Sequence, residues 1–509
     1  MSLKRGNIEM KEKSIIIIEA GLTGLSAGCY ARMNGYKTKI FEMHNIPGGL
    51  CTSWKRKEYI IDGCIHYMMG SRYGTYHRFY EELGAAQNRE MIDTEELMRI
   101  EGSGGDTWIV YTDIDRLEKH MKELSPEDTP VIEELCSCTR RFLSFEIPAE
   151  KPMEMMGIFD MLKMMKYIPA LKTMGKYSGI TMQDYAKRFK SPFLREVFPM
   201  IIEDIPDMPM MGVFFLLSYL HNKNNGWPAG GSLEFARAIE KRYLDLGGEV
   251  QYRARVEKIL VESDRAVGVL LTDGSTHLAD MVISAADGRT TIFDMLDGKY
   301  VDDRIKHYYN EWPIFEAYVQ VSLGVASDFS ELPHSIMLQL EAPLKVGDQI
   351  REYIPVKHYC YDPSMAPEGK SVVTASFIFT NYEYWKELSI DRLKYKAEKK
   401  ALADEVISRL EMRFPGITKK VEVIDVATPV TYERYTGNWR GSYMGWKSLP
   451  SATGREKGMS KTLPGLDCFY MGGQWVFPGG GVPGAIAAGR HLIQTICRKG
   501  QKKFTSLSV

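Results

Sequence analysis

A glycine-containing turn near the N-terminus carries the residues best suited to bind a phosphate group. Four isoleucines, residues 15–18, precede the sequence Glu19-Ala-Gly-Leu-Thr-Gly24. Dinucleotide-binding proteins place G-x-G-x-x-G between a strand and a helix, because these glycines let the backbone approach a pyrophosphate at the positive helix N-terminus. Gly21 and Gly24 occupy the second and third glycine positions. The pattern predicts a dinucleotide site; the alternative is a tight strand-to-helix turn in an unrelated α/β domain.

An acidic residue follows this turn at the distance that a dinucleotide site requires. Residues 37–41 form a second predicted strand, and Glu42 ends it 21 residues after Gly21. In such sites an acid about 20 residues beyond the glycines accepts hydrogen bonds from the ribose hydroxyls. Strand, glycines, helix, strand and acid at these distances predict a βαβ unit at the start of the chain.

Glu19 departs from the dinucleotide pattern, because it stands where the first glycine belongs. That glycine makes the tight turn, and a side chain there crowds the phosphates. A carboxylate about 4 Å from a phosphate charge is repelled by about 4 kcal/mol at an effective dielectric constant of about 20. Such a repulsion lowers affinity by about three decades unless the side chain turns to solvent. We therefore expect Glu19 to weaken dinucleotide binding.

A second glycine cluster lies near the C-terminus. The run Pro478-Gly-Gly-Gly-Val-Pro-Gly484 follows a strand-like segment, residues 467–471, and predicts a helix from Pro483 to about Arg498. Consecutive glycines before a helix place backbone N–H groups and a helix dipole at a ligand. A shorter cluster, Pro47-Gly-Gly49, follows Glu42 directly.

The segments between these motifs predict two interleaved domains. Residues 256–261 and 266–271 flank a turn at Ser263-Asp264, and residues 281–284 are an apolar run typical of a buried strand. The predicted ranges are 14–100, 225–300 and 430–509 for a discontinuous nucleotide-binding domain, and 101–224 and 301–429 for a second domain.

Composition excludes several classes of protein. The 65 basic and 66 acidic residues give a net charge of −1, which argues against a nucleic-acid binder. Eight scattered cysteines predict no disulfide framework, and neither Cys136-Ser-Cys138 nor Cys64-Ile-His66 has a second pair at zinc-ligand spacing, so no metal is expected. No secretory leader and no stretch of about 20 apolar residues is recognisable, which favours a cytoplasmic location.

Taken together, the motifs resemble the phytoene desaturase-like family of FAD-dependent oxidoreductases, which includes carotenoid desaturases, carotenoid isomerases and retinol saturases. The resemblance covers most of the chain in order. The matching segments are Ala20–Gly28, Phe41-Glu42, Pro47–Gly49, Asp62–His66, Trp227–Gly231, Val256–Ile259, Ser284–Gly288 and Pro478–Gly484.

The resemblance implies an α/β fold in which a discontinuous Rossmann-type FAD-binding domain is interleaved with an α+β substrate domain. It implies one FAD molecule extended through the first domain, with Gly21, Thr23 and Gly24 at the pyrophosphate and Glu42 at the adenosine ribose. The remaining expected contacts with FAD are Ala20, Gly48, Gly49, Thr52, Val256 (through its backbone, at the adenine), Gly473, Gly481 and Val482.

His66 is the candidate catalytic residue, since it lies in the family-like motif that begins at Asp62. A packed histidine without a catalytic role is the alternative, and Asp62 then merely caps a turn. Gly102-Ser-Gly-Gly105 precedes a strand-like segment and predicts a hairpin rather than a second dinucleotide unit. We therefore expect electrons to pass to or from a diffusing acceptor such as oxygen or a quinone.

Residues 153–182 contain eight of the 29 methionines, with lysines at 163, 166, 172 and 176. Methionines conform to irregular apolar ligands, and lysines among apolar residues suit an anionic bilayer surface. The segment predicts a peripheral membrane contact that admits an apolar substrate. A methionine-rich core helix is the alternative.

These observations predict an FAD-dependent oxidoreductase that acts on a carbon–carbon bond of an apolar, polyene or isoprenoid substrate by desaturation, saturation or isomerisation. Flavin chemistry needs few side chains, because the cofactor carries the reaction. Two alternatives stay open: a non-catalytic relative that lacks FAD because of Glu19 and binds lipid or a protein partner, and a flavin amine oxidase. The sequence leaves the oligomeric state open.

Overall fold

The computed structural model describes residues 12–202, 205–447, 458–477 and 480–507. Within these residues the strands, in chain order, are β1 (Ser14–Ile18), β2 (Lys37–Phe41), β3 (Ser53–Arg56), β4 (Tyr59–Asp62), β5 (Met91–Ile92), β6 (Glu96–Glu101), β7 (Thr107–Tyr111), β8 (Trp227–Pro228), β9 (Glu249–Gln251), β10 (Val256–Glu262), β11 (Arg265–Leu271), β12 (Thr276–Leu278), β13 (Met281–Ser284), β14 (Val319–Val325), β15 (Ser335–Val346), β16 (Gln349–His358), β17 (Ser371–Phe377), β18 (Val421–Ala427) and β19 (Phe469–Met471).

The α-helices of the same residues are α1 (Leu22–Met33), α2 (Gly74–Glu82), α3 (Ile114–Leu124), α4 (Thr129–Arg140), α5 (Ile158–Met164), α6 (Ile168–Tyr177), α7 (Met182–Ala186), α8 (Pro192–Val197), α9 (Met210–His221), α10 (Gly231–Asp245), α11 (Asp303–Glu311), α12 (Tyr382–Leu388), α13 (Arg392–Arg413), α14 (Pro429–Thr436) and α15 (Gly481–Lys499).

A five-stranded parallel sheet, in the order β19-β13-β1-β2-β9, contains the predicted βαβ unit. Its central strand β1 is buried on both faces, because Ile15 and Ile17 pack into one core and Ile16 and Ile18 into another. Helices α1, α10 and α15 cover the first face. The apolar isoleucine run therefore behaves as a parallel strand buried on both faces should.

A second, seven-stranded sheet has the order β18-β14-β17-β16-β15-β6-β7 and is antiparallel except where β15 runs parallel to β6. Helices α3, α4 and α6 to α9 share one core with this sheet, and α13 packs on the other face through Leu402, Val406 and Leu410. The hairpin predicted around Gly102–Gly105 joins β6 to β7. The α/β fold is thus confirmed, while the domain boundaries at 100, 225, 300 and 430 stay predictions.

Helix α15 begins two residues before the predicted start at Pro483. Gly480 and Gly481 have φ angles of 43° and 76°, so the chain enters the helix through a left-handed turn that favours glycine. Pro483 then lies in the first turn, where its missing N–H group leaves no bond unmade.

Helices α1 and α15 pack backbone against backbone. The side chains of Thr23 and Ser26 donate hydrogen bonds to the carbonyl groups of Ala485 (2.9 Å) and Ile486 (2.8 Å). A Cβ atom on Gly489 would lie 2.6 Å from the Thr23 carbonyl oxygen and 2.7 Å from the Ala27 nitrogen. This contact places the N-termini of the two helices side by side.

Gly489→Ala should therefore destabilise the protein. A methyl group at this position forces two backbones apart, and overpacking of this kind costs about 1–3 kcal/mol. The free energy of unfolding in urea measures the loss. Gly175→Ala in α6 is the matched control, since no heavy atom lies within 4 Å of the position of its Cβ. Equal unfolding free energies for the two variants would contradict the close packing of α1 on α15.

Candidate active site

A cavity of about 1180 Å³ lies between the parallel sheet and the seven-stranded sheet. One end is lined by residues that follow β1, β13 and β19, among them Gly21, Ala285 and Gly473. The wall opposite is built from β15, β16, β17 and α9. Parallel α/β sheets bind ligands at the carboxyl ends of their strands, and this end of the cavity occupies that place.

The sheet end of the cavity presents glycine backbone and two helix N-termini. Gly21 caps α1 without a side-chain hydrogen bond, and Gly480 precedes α15 in the same way. No heavy atom lies within 4 Å of the position that a Cβ on Gly21 would occupy. The backbone N–H groups in the first turns of both helices are therefore available to an anionic ligand.

The structure divides the predicted cofactor contacts into two groups. Those that line the cavity are Gly21, Thr23, Gly48, Gly49, Gly473, Gly481 and Val482. The residues that do not line it are Ala20, Gly24, Glu42, Thr52 and Val256. The roles predicted for both groups stay predictions.

The Glu42 carboxylate is hydrogen-bonded to neighbouring backbone N–H groups. It accepts hydrogen bonds from the N–H groups of Ala20 (2.7 Å) and His44 (2.8 Å). Burial raises the pKa of Glu42, and these bonds oppose the shift. A carboxylate has about four acceptor sites, so Glu42 retains capacity to accept from a ligand hydroxyl.

Glu19 adopts the backbone conformation of the glycine that it replaces. Its φ angle is 77°, its N–H group donates to the Phe41 carbonyl at 2.8 Å, and the residue lines the cavity. Burial, and after it the charges of Glu42 and Asp287, hold the pKa of the Glu19 carboxyl well above its usual range, while Arg255 acts in the opposite direction. Glu19 thus adds a titratable carboxyl to the site while its backbone keeps the left-handed φ that a glycine would adopt.

Asp62 is the centre of a buried hydrogen-bond network behind the cavity. Its carboxylate accepts from the N–H and hydroxyl groups of Ser232, both at 2.7 Å, from the Ser53 hydroxyl at 3.0 Å and from the Cys64 N–H group at 3.0 Å. The bond to Cys64 is the turn cap that the alternative interpretation of this motif expects. The two serines were missed, although Ser232 directly follows the Trp227–Gly231 motif. Together they tie β3, β4 and α10 to the loop that carries His66.

The part of the cavity beyond the glycines is a large apolar chamber. Its side chains include Met98, Met200, Ile202, Met208, Phe215, Leu216, Phe315, Tyr318, Met337, Val356, Phe377, Tyr443, Met444 and Trp475. At the far end Tyr353 donates to Glu196 at 2.6 Å. Glu196, Ile350 and Glu352 line the cavity and are also exposed on the surface, so the chamber opens to solvent there.

His66 lines the chamber on the loop after Asp62. Its carbonyl group accepts a hydrogen bond from the Lys357 ammonium at 3.3 Å, and that ammonium lies 5.2 Å from the ring centre of Trp227. The structure therefore brings His66 to the cavity, and its catalytic role stays a prediction. Among the described residues no three histidine, cysteine or acidic side chains are grouped to hold a metal ion.

The methionine-rich segment 153–182 forms helices α5 and α6 with one face turned outward. Exposed apolar residues on it include Met153, Ile158, Phe159, Met161, Leu162, Met165 and Ile168, with Met153 82% and Phe159 78% exposed. The opposite side packs inward through Tyr167, Ala170 and Tyr177. The four lysines are exposed as well. In the part of the chain that the structure describes, no helix combines the length and apolarity needed to cross a bilayer.

Comparison with known proteins identifies the class of this site. A family model described as flavin containing amine oxidoreductase matches residues 22–492. The chain is 27% identical to the chloroplast prolycopene isomerase of Daucus carota, covering 93% of this chain and 78% of that one. It is 23% identical to a lycopene-forming phytoene desaturase of Paracoccus sp., covering 95% and 97%.

Solved structures show the same fold at low sequence identity. A double mutant of putrescine oxidase superposes with a TM-score of 0.62 at 13% identity, covering 96% of this chain and 99% of that chain. An oxidoreductase from Methanosarcina mazei gives a TM-score of 0.59 at 17% identity, covering 94% and 100%.

The predicted cofactor, FAD, is confirmed by these comparisons. The sheet end of the cavity fits it, because two helix N-termini without side-chain caps and the open backbone at Gly21 form a cradle for a diphosphate. Glu19 is the one departure from the dinucleotide turn that the structure places in this cradle.

Asp62→Asn should destabilise the protein and loosen the cavity wall. The amide nitrogen would face donors that now converge on a carboxylate, and an unsatisfied buried donor costs about 1–3 kcal/mol. Urea unfolding measures this loss. Asp273→Asn is the control, because its carboxylate bonds only to neighbouring Ser275 in an exposed turn. An equal fall in the free energy of unfolding of both variants would show that the hydrogen bonds to Asp62 do not stabilise the protein.

Proposed function

The chain belongs to the flavin containing amine oxidoreductase family, and from this premise we propose that it is an FAD-dependent enzyme acting on a carbon–carbon bond of an apolar polyene. The observation that carries the proposal is the apolar chamber that continues from the glycine-lined end of the cavity. A ligand in that chamber exchanges water for methionine, leucine and aromatic side chains, which favours long hydrocarbons.

The names of the relatives point the same way. Proteins matched over most of this chain include some named as prolycopene isomerases, phytoene desaturases and 4,4'-diaponeurosporene oxygenases. Their substrates are polyenes by name, and the chamber suits a molecule of that chemistry. Desaturation, saturation and isomerisation all remain compatible with it, because the same cofactor can serve each.

We assign the cofactor contacts as the sequence predicts them. When bound, FAD supplies hydride transfer at carbon. The chain's own part is to bind FAD and to hold the substrate away from water. The proposed cofactor contacts are Ala20, Gly21, Thr23, Gly24, Glu42, Gly48, Gly49, Thr52, Val256, Gly473, Gly481 and Val482. His66 is proposed to contact the substrate in the chamber, where it could hold or move a proton.

An amine substrate is the second candidate, favoured by the description of the family and by the putrescine oxidase fold. Within the chamber it would have to leave water as a cation among apolar side chains, which is costly without a paired carboxylate. The acidic residues that line the cavity away from the sheet, Glu196 and Glu352, are exposed at its opening. This placement favours the polyene.

The protein supplied with FAD should convert at least one polyene and should not oxidise putrescine. Phytoene, prolycopene and 4,4'-diaponeurosporene in detergent micelles test the first part, with products separated by chromatography and read by absorbance. Hydrogen peroxide released with putrescine tests the second part.

Each contrary outcome selects another hypothesis. Peroxide from putrescine together with unchanged polyenes would establish an amine oxidase. Protein that retains no flavin absorbance after incubation with FAD and removal of the unbound FAD would support the non-catalytic relative. A His66→Gln variant that converts the polyene at the wild-type rate would remove His66 from the catalytic residues.

We also propose that residues 153–182 contact the surface of a membrane, from which an apolar substrate can be taken up. Exposed apolar side chains interleaved with exposed lysines are what an anionic bilayer surface binds. Helix α6 of this segment packs on α9, and α9 supplies Phe215 and Leu216 to the chamber wall. The segment therefore lies one helix away from the proposed substrate.

Co-sedimentation with liposomes that contain anionic lipid should be weakened by replacing either set of side chains. Lys163, Lys166 and Lys172 are changed to glutamine in one variant, and Ile158, Phe159 and Leu162 to serine in another. Each lysine near such a surface contributes about 1 kcal/mol, so three substitutions should lower binding by about two decades at low salt.

The matched control changes three exposed lysines of α13 to glutamine, at positions 394, 396 and 400. It lowers the net charge by the same amount as the segment variant, and it should bind the liposomes as strongly as the wild-type protein. Equal losses in the two lysine variants would mean that binding follows net charge alone. Absence of binding by the wild-type protein would remove the membrane contact.

A further inference from the structure

Three carboxyl groups lie near the turn that receives the FAD diphosphate under the proposed cofactor contacts, on which this inference rests. Glu19 follows β1, Glu42 ends β2 and Asp287 follows β13. Glu42 is held by two backbone N–H groups, and Asp287 accepts from the N–H groups of Thr290 (2.8 Å) and Trp439 (2.9 Å). The Glu19 carboxyl receives no hydrogen bond or ion pair from any residue that the structure describes.

The surroundings of Glu19 offer little positive charge. Arg255, which precedes β10, is the cation that acts on it, against the two acids Glu42 and Asp287. The loop at Gly437 also lies beside this carboxyl, since a Cβ on Gly437 would lie 3.7 Å from Glu19 Oε1 and 3.5 Å from the sulfur of Met43. Neither Gly437 nor Met43 carries a charge.

FAD adds negative charge to this site. The proposed place of its diphosphate is at the two helix N-termini, and Glu19 lines the same end of the cavity. An ionised Glu19 repels the diphosphate, whereas a protonated Glu19 does not and can donate a hydrogen bond to an acceptor oxygen. Burial and the two neighbouring acids raise the pKa of Glu19 in the protein without FAD, and the charge of a bound diphosphate raises it further.

We propose that FAD binding to this chain is coupled to the uptake of one proton by Glu19. Bound FAD stabilises the protonated carboxyl further, so affinity is greatest at low pH. As pH rises through the interval between the pKa of Glu19 without FAD and its pKa with FAD, the dissociation constant rises and the cofactor becomes exchangeable. Glu19 thereby makes occupancy by the cofactor depend on pH, independently of which substrate the enzyme converts.

Titration of the apoprotein with FAD at pH 6, 7 and 8, followed by flavin fluorescence, tests the coupling. The dissociation constant of the wild-type protein should rise by up to about tenfold per pH unit. Glu19→Gln, which keeps the shape and removes the charge, should bind FAD more tightly at pH 8 and show no such rise. Glu19→Gly should behave like Glu19→Gln. Calorimetry in two buffers of different ionisation enthalpy should find close to one proton bound by the wild type and none by the variants.

Asp287 is the competing acceptor, because burial raises its pKa to about 6. Asp287→Asn should therefore retain the pH dependence of the wild type. Loss of proton uptake in Asp287→Asn but not in Glu19→Gln would overturn the proposal, as would a dissociation constant that varies identically with pH in the wild type and in Glu19→Gln. Glu257→Gln, an exposed acid on β10, controls for net charge and should match the wild type. Because proton uptake is measured on the wild-type protein itself, the test does not depend on the folding of any one variant.

Discussion

The close approach of helix α1 to the end of strand β1 is the constraint on which the site depends. A Cβ on Gly24 would lie 2.0 Å from the carbonyl oxygen of Glu19, so only glycine allows the helix to start where it does. This start directs the α1 N-terminus at the carboxyl edge of the parallel sheet. Helix α15 then packs on α1 through Gly489, and the two N-termini meet at one end of the cavity. The cradle for the cofactor follows from two contacts between backbones.

These features could be predicted from the sequence because they are local. The isoleucine run, the spacing of Gly21 and Gly24, and Glu42 at the end of β2 all lie within 30 residues, and each reflects a steric or polar requirement of one βαβ unit. The N-terminus of α15 could likewise be predicted from the glycines directly before it. The predicted start, Pro483, was two residues too late. Steric and hydrogen-bonding requirements within so short a segment permit few alternative backbone structures.

The chamber could not be predicted, because it is assembled from parts distant in sequence. The seven-stranded sheet joins β6 to β15 across more than 200 residues, and Asp62 bonds to Ser232, 170 residues away. Packing determines which strands and side chains pair across such distances. The sequence of one segment does not indicate which distant segment it pairs with. The same holds for segment 153–182, where Met153 is exposed and Met182 is buried although the sequence shows no difference between them.

Glu19 opposes the fold and the cofactor through two separable effects. Its left-handed backbone costs about 1–2 kcal/mol relative to glycine, and that cost is present whether or not FAD is bound. Its carboxyl, when ionised, adds negative charge to that of Glu42 and Asp287, and the repulsion of the diphosphate arises only on binding. The strain therefore lowers the stability of the apoprotein and cancels from the affinity, while the charge enters the affinity. Glu19 therefore leaves the left-handed turn in place, and its main proposed effect is to make the affinity for FAD depend on pH.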